Sequence, residues 1–176
     1  MILLYLILFA TFNFASINQL NNGYSFYQFT QNDKKQFNND IIHFLYFNNI
    51  LDHNISFDVS QDFDPITKIK HYKLSQKHRG IEVFGKNIRL HFNVLGQPSS
   101  LSNNFFTGYF NSSFPLISEE EVREIIKFDF NLENTIFRNI KLIYYVDKDA
   151  KLMYHIDAIT YSNAVRYLVN AHTGEI

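Results

Sequence analysis

The chain lacks cysteine and tryptophan entirely, and its 176 residues include only 3 prolines and 6 glycines. Without cysteine there is no disulfide bond, no thiolate nucleophile and no cysteine-ligated zinc site. The chain also has no excess of one charge: 16 lysines and arginines are balanced by 17 aspartates and glutamates, for a formal net charge of −1. This balance predicts neither a nucleic-acid surface nor a polybasic membrane patch, so we expect no nucleic acid as a partner.

Apolar residues, by contrast, are abundant. Hydrophobic residues make up 46% of the chain and aromatic residues 17%, with 19 phenylalanines and 11 tyrosines. This composition predicts a packed globular protein rather than a disordered one. A chain of this length can bury a core that is stable without disulfides, either as one large domain or as two small ones.

The N-terminal segment MILLYLILFATFNFAS, residues 1–16, contains no charged side chain. Its apolar run is too short to cross a bilayer, and the small residues Ala15 and Ser16 follow it as a signal-peptidase site requires. We therefore expect a cleaved signal peptide, with a buried N-terminal strand or helix as the alternative. The mature chain is then expected in the secretory lumen or outside the cell, without a membrane anchor.

Hydrophobic periodicity divides the first half of the chain into a helix and a run of strands. Residues 17–32 are polar and aperiodic, which predicts an irregular lead-in. An amphipathic stripe then predicts one helix that Asp33 caps and that ends near residue 52. Alternating segments over residues 54–104 predict an antiparallel meander, with two short strands separated at Gly85.

The second half repeats the order of helix and then strands. Ser118 and Glu121 have the spacing of a capping box, so the adjacent glutamates indicate a helix start rather than a catalytic or metal cluster. Strands are expected at about 139–146, 151–159 and 164–170. The predicted class is α+β: two small helix-plus-antiparallel-meander units, residues 33–112 and 113–176, with the sheets packed against the helices.

Motifs of the common hydrolases are absent from this sequence. There is no HExxH helix to bind zinc, no G-x-S-x-G nucleophile elbow and no phosphate-binding glycine loop. His71, His91 and His155 lie on predicted strands, but their spacing does not favour a metal site over ordinary strand positions. We therefore predict no catalytic residue and no metal ligand. Asn54 and Asn111 begin the two N-glycosylation sequons.

A longer pattern resembles a known domain. The segment HYKLSQKHRGIEVFGKNIRLHFNVLGQPSSLSNNF is similar to the fungalysin/thermolysin propeptide (FTP) domain. That domain has a strand ending in Gln, a Gly-x-Pro-Val-x-Gly stretch, an alternating strand and a glycine turn. Glu82 stands where the family usually has proline. The matching positions are Gln76, Gly80, Val83, Gly85 and Gly96.

The C-terminal half resembles the PepSY-type unit that follows this domain in the same propeptides. The resemblance includes ISEEEVREIIK, the strands after it and the terminal YLVNAHTGEI. Asn170 replaces the family's usual aspartate. The positions that match the closing family motif are Ala171, Thr173, Gly174 and Glu175.

The resemblance implies a role without catalysis. Such segments precede the catalytic domain of secreted zinc metalloproteases, assist its folding and inhibit it until they are cleaved. The implied partner is that catalytic domain, in cis or in trans, and zinc would be needed only there. Two alternatives stay open: the N-terminal part of a truncated protease precursor, and a secreted PepSY-type binding module unrelated to proteases. Ending on HTGEI favours the truncated precursor.

Overall fold

The structure, a computed structural model, describes residues 16–20, 24–48, 50–51, 53–130, 135–160 and 164–176. The predicted signal peptide lies outside these residues except for Ser16, so it stays a prediction. Within the described residues the helices and strands follow one another as β1 Ser16–Leu20, β2 Tyr24–Gln28, α1 Gln31–Gln36, α2 Ile41–Phe47, β3 Ser56–Phe63, β4 Lys70–His78, β5 Ile81–Phe92, β6 Pro98–Asn103, α3 Glu119–Phe130, β7 Ile136–Val146, β8 Ala150–Ile159 and β9 Ala164–Asn170.

The expected irregular lead-in over residues 17–32 is wrong. β1 and β2 form an antiparallel pair, and β2 pairs in turn with β6. Tyr27 packs against the core, whereas its neighbours Phe26 and Gln28 are exposed, so β2 has the alternation of an ordinary strand. The pattern covers too few residues to stand out in a polar segment.

The expected single helix from Asp33 to about residue 52 is also wrong, because the chain forms two short helices. Thr30 caps α1, and Asp33 is the third helical residue, completing a capping box with Thr30. Asp40 caps α2 by accepting a hydrogen bond from the backbone N–H of His43 at 2.9 Å. Phe37 lies in the break, with its ring 5.5 Å from that of Phe44. The apolar stripe therefore records burial in one core, not one continuous helix.

Strands β3 to β6 form the predicted antiparallel meander, but they are not a separate sheet. All nine strands belong to one connected sheet, in which β5 also pairs in parallel with β7. β7, β8 and β9 then continue the sheet as an antiparallel run. The sheet is therefore mixed, and the two predicted units share it.

Gly85 marks the place where β5 changes its partner. Residues 82–83 pair with β7, and residues 88–92 pair with β6 along the same edge of β5. Gly85 lies between the two pairings with φ of +71°, a conformation that glycine adopts without steric cost. β5 therefore runs unbroken from Ile81 to Phe92, and the expected division into two short strands is wrong.

The start of the third helix follows the sequence prediction. The Ser118 backbone N–H donates to the Glu121 carboxylate at 2.7 Å, and the Glu121 N–H donates to Ser118 Oγ at 3.3 Å. The hydrogen bonds that the Ser118 backbone N–H and hydroxyl donate to the Glu121 carboxylate hold the pKa of that carboxyl below its ordinary value. The three strands after α3 agree with the predicted positions to within a few residues.

The α+β class is confirmed, with strands outnumbering helices and a separate apolar core on each half of the sheet. The first core packs α2 against the meander and comprises Phe29, Phe44, Leu45, Leu51, Leu74, Ile88, Leu90, Phe92 and Leu101. The second packs α3 against β7 to β9 and comprises Val83, Val122, Ile126, Tyr144, Ala150, Leu152, Tyr154, Ile156, Ala158, Tyr167, Val169 and Ala171.

Candidate functional site

Residues 104–118, the connecting segment, run from β6 to α3 without forming a helix or a strand. A single residue of it, Phe110, makes an isolated parallel bridge to Ala150. An extended segment with no ladder of its own needs other partners for its backbone groups. Most of the family-motif positions singled out in the sequence serve as those partners or support them.

The side-chain amide of Gln76 makes two hydrogen bonds to the backbone of the connecting segment, as a neighbouring strand would. Its Nε2 donates to the Phe106 carbonyl at 2.6 Å, and its Oε1 accepts from the Phe106 N–H at 2.7 Å. The side chain is only 2% exposed, so water cannot replace either hydrogen bond. Gln76 therefore fixes the position of the first third of the connecting segment.

Asn104 holds the irregular part of β5, and sequence reasoning missed it. Its Oδ1 accepts from the Asn87 N–H at 2.6 Å, and its Nδ2 donates to the Gly85 carbonyl at 3.0 Å. Its own N–H donates to the Asn87 carbonyl at 3.2 Å. Asn104 thus satisfies backbone groups of β5 in the stretch between its pairing with β7 and its pairing with β6.

An aromatic cluster lies between the two halves of the sheet. The ring of His78 stacks on Phe110 with centroids 4.0 Å apart, and Phe110 meets Tyr144 edge-on at 5.1 Å. Phe106 contacts Phe110 at 5.3 Å. Burial lowers the pKa of His78, so its ring acts as a neutral aromatic group near neutral pH.

The remaining FTP positions are turns and core. Gly80 and Gly96 have φ of +82° and +72° in the two connections that flank β5. Val83 is 1% exposed within the second core. Glu82, which replaces the family's proline, forms a 2.8 Å ion pair with Lys141 of β7. The substitution therefore adds a contact across the parallel pairing of β5 and β7.

The terminal motif forms a tight turn against α3. Gly174 has φ of +77°, which strains any other residue, and a Cβ there would also crowd Ile125 Cδ1 at 3.0 Å. Its N–H donates to the Asn170 carbonyl at 2.9 Å, and the Asn170 N–H donates to the Glu175 carbonyl at 2.8 Å. Thr173 Oγ1 accepts from the Glu175 N–H at 3.3 Å. The turn folds the chain back beside the end of β9.

Ala171 joins this turn to the connecting segment. It is fully buried, and its carbonyl accepts from the N–H groups of Leu116 and Ile117 at 2.8 Å and 3.3 Å. His172 Nε2 lies 3.0 Å from the Phe114 carbonyl. Since a carbonyl only accepts, Nε2 carries the proton. The end of the connecting segment and the terminal turn are therefore one piece of structure.

Asn111, the second predicted glycosylation site, has an internal role. Its Oδ1 accepts from the Leu152 N–H at 2.9 Å, and its Nδ2 lies 3.2 Å from His172 Nδ1. The Tyr144 hydroxyl donates to its carbonyl at 3.2 Å. Asn54, by contrast, is exposed in the turn before β3. Of the two sequons, Asn54 is the one that the fold leaves accessible.

An exposed apolar area adjoins the terminal turn. Phe114 and Leu116 are 74% and 77% exposed, and Ile176 is 49% exposed. We call Phe114, Leu116 and residues 170–176 the C-terminal surface. Next to it, β9 pairs with β8 and with no other described strand, so it is an edge strand of the described sheet. An edge strand beside exposed apolar side chains is suited to binding an extended polypeptide.

The three strand histidines do not meet at one point. His71 and His91 are cross-strand partners, with Nδ1 atoms 2.8 Å apart. His155 lies in the other half of the sheet, near Phe84. Within the described residues no group of three or more ligating side chains lies together.

His155 is buried, with 5% of the residue exposed, and neither of its ring nitrogens has a hydrogen-bond partner among the residues that the structure describes. Burial lowers its pKa below the ordinary value, and the cations Arg166 and Lys141 lower it further. Asp157 and Glu82 oppose that shift more weakly. The unfolded chain therefore binds a proton at this position more readily than the folded protein does.

The protein should lose stability as the pH falls through and below about 6.5, the ordinary value for histidine. Above that range both states hold His155 neutral and its contribution is constant. The replacement His155→Leu removes this proton uptake, so its unfolding free energy should depend less on pH than that of the wild type. Urea unfolding at pH 7.5 and 5.0 measures the difference. Equal pH dependence in the two proteins would contradict the assignment.

Comparisons with known proteins match part of the chain to a family model. Residues 59–105 match the family model of the Fungalysin/Thermolysin Propeptide Motif. No curated protein sequence matches the chain. Among solved structures, the C-terminal domain of Bacillus megaterium YpeB is similar to it, with 13% identity and a TM-score of 0.42, over 86% of this chain and 68% of that one.

The match includes strands β4 to β6 in full and most of β3. It therefore contains all five predicted FTP positions and lies inside the predicted unit of residues 33–112. Beyond it, the described residues of the second half form one helix and three antiparallel strands, the order that the sequence predicted. Among the described residues no helix is long and apolar enough to cross a membrane. Through residues 59–105, the chain is thus identified as one that carries the fungalysin/thermolysin propeptide motif.

Proposed function

We propose that this chain is a propeptide-like module that binds the catalytic domain of a secreted thermolysin- or fungalysin-like zinc metalloprotease, inhibits it and assists its folding. The match of residues 59–105 to a propeptide motif carries the proposal. The module itself needs no cofactor for this role, and zinc belongs to the partner. The proposed location is the secretory lumen or the outside of the cell.

The proposed contact region is the C-terminal surface together with the outer edge of β9. Phe114 and Leu116 expose apolar side chains from backbone that Ala171 and His172 hold in place. Pre-ordered apolar groups bind with little loss of conformational entropy. The edge of β9 offers main-chain hydrogen bonds to an extended strand of the protease.

In this proposal the family-motif residues act indirectly. Gln76 and Gly85, with Asn104, position the start of the connecting segment, and Ala171 and Gly174 position its end. We further propose that the two units, residues 33–112 and 113–176, fold as one body, because they share the sheet through β5 and β7. A rigid body of this kind can present one continuous surface to its partner.

An inhibition titration tests the function. The purified protein should inhibit peptide hydrolysis by a thermolysin-type or a fungalysin-type catalytic domain. The double replacement Phe114→Ser and Leu116→Ser should weaken inhibition by at least about tenfold, a loss of about 1.4 kcal/mol of binding free energy.

A matched control for this double replacement is available in the turn between β5 and β6. Val94 and Leu95 are 74% and 78% exposed, nearly the same as Phe114 and Leu116, but lie in the turn before β6. The double replacement Val94→Ser and Leu95→Ser should leave inhibition unchanged. An equal loss in both double variants would reject the C-terminal surface as the contact region. Absence of inhibition by the wild type would reject inhibition by this chain in trans.

A further inference from the structure

A row of polar side chains crosses the solvent-facing side of the first half of the sheet. Asp62 of β3 pairs with His71 of β4, and His71 pairs with His91 of β5. Directly opposite residues on neighbouring strands lie on the same face of a sheet. The alternate positions Tyr72 and Leu90 face the first core, so the row lies on the other side.

The two imidazoles already meet. Their Nδ1 atoms are 2.8 Å apart, and the ring centroids are 4.9 Å apart with an interplanar angle of 72°. Both rings are part-buried between strands, and Ser99 Oγ donates to the His91 carbonyl at 3.0 Å. Since one Nδ1 must donate a hydrogen bond and the other accept it, one ring has its lone pair directed at the gap.

This separation is close to that of two nitrogen ligands on one metal ion. With metal–nitrogen distances of about 2.0–2.1 Å, adjacent nitrogens lie about 2.9 Å apart in octahedral and about 3.4 Å apart in tetrahedral coordination. A change of about half an ångström, by rotation of one ring, brings 2.8 Å to either value. A metal ion would replace the shared proton and accept both lone pairs.

We propose that His71 and His91 form a two-imidazole clamp for a borderline divalent transition-metal ion such as Zn²⁺, Ni²⁺ or Cu²⁺, with water in the remaining coordination positions. Imidazole nitrogens suit these ions. Asp62 is exposed directly across from His71, but it is not one of the ligands, because no group of three ligating side chains lies together among the described residues.

Asp64, the next acidic residue, is not available for the clamp. Its carboxylate accepts hydrogen bonds from the Ile66 N–H at 2.8 Å and from Thr67 Oγ1 at 2.7 Å, which hold the turn between β3 and β4. Metal binding would therefore join β4 and β5 within the FTP motif, through His71 and His91. The clamp lies on the opposite half of the sheet from the C-terminal surface, so it is independent of the proposed inhibitory function.

Calorimetric titration of ZnCl₂ into the full chain, prepared without a histidine tag, tests the clamp. We expect one ion per chain with micromolar affinity. His71→Gln and His91→Gln should each weaken binding by at least about tenfold, because each removes one of two imidazoles. His43→Gln is the matched control, since His43 is exposed on α2 and should leave the affinity unchanged.

A variant that adds a ligand keeps the proposal testable if the histidine-to-glutamine variants fail to fold. Asp62→His places a third imidazole in the row and should tighten Zn²⁺ binding by about tenfold or more. Electron paramagnetic resonance of the Cu²⁺ complex should show two nitrogen ligands in the wild type. Absence of saturable binding in the wild type, or equal weakening by His43→Gln, would overturn the proposal.

Discussion

Gln76→Leu is expected to lower the free energy of unfolding by about 2–5 kcal/mol, because it leaves two buried backbone groups without partners. Leucine is similar in size to glutamine but cannot pair with the Phe106 N–H and carbonyl, to which Gln76 is hydrogen-bonded at 2.7 Å and 2.6 Å. With only 2% of Gln76 exposed, water does not compensate. Urea unfolding followed by circular dichroism measures the loss.

The control for this variant is Gln61→Leu. Gln61 lies exposed on the edge strand β3, so its replacement should change stability by only about 0.5 kcal/mol. If both replacements had the same small effect, the side-chain pairing with Phe106 would not hold the connecting segment. The connecting segment would then need another anchor.

Asn111→Ala is expected to cost about 2–3 kcal/mol of unfolding free energy. It leaves the Leu152 N–H without the acceptor that Asn111 Oδ1 provides at 2.9 Å, and it removes the contact with His172 Nδ1. The protein should be unglycosylated for this measurement, which bacterial expression ensures. Chemical unfolding of wild type and variant under the same conditions gives the difference.

Asn54→Ala is the matched control, because it replaces the other sequon asparagine at an exposed turn. It should change stability by less than about 1 kcal/mol. A large effect at Asn54 together with a small one at Asn111 would contradict the assignment of Asn111 as an internal hydrogen-bonding residue. The same result would reopen Asn111 as the more accessible acceptor for a glycan.

Features that depend on near neighbours could be predicted from the sequence. The capping box of Ser118 and Glu121 needs only three residues of separation, and the structure contains its hydrogen bonds. The turns around Gly80 and Gly174 likewise follow from residues that adopt positive φ. Strand alternation predicted the order of β3 to β9, and most of these strands contribute buried residues to one of the two cores.

Features that depend on distant partners could not be predicted. β2 is stabilised by β6, and nothing within a polar segment of five residues indicates that pairing. Gln76 and Phe106 are 30 residues apart, so the reason for a buried glutamine is not visible locally. Gly85 was recognised as an interruption, but its role is a change of strand partner, which requires the position of β7.

The candidate site likewise has features that the sequence predicts and features that only the fold reveals. The family positions were found by resemblance, whereas the support that Gln76, Gly85, Ala171 and Gly174 give to the connecting segment became visible only in the fold. Asn104 carries no motif signal and yet satisfies three backbone groups. Phe114 and Leu116 are apolar residues like many others in this chain, and only their exposure distinguishes them.

Hydrogen–deuterium exchange of the protein, alone and with a thermolysin- or fungalysin-type catalytic domain, tests most directly whether this is a propeptide-like module acting through its C-terminal surface. Binding should slow exchange of the amides in β9, in residues 170–176 and around Leu116, because a partner strand satisfies and covers them. The β5–β6 turn around Val94 should be unaffected. Unchanged exchange throughout, or protection confined to β3 and the β5–β6 turn, would contradict the proposed mode of binding.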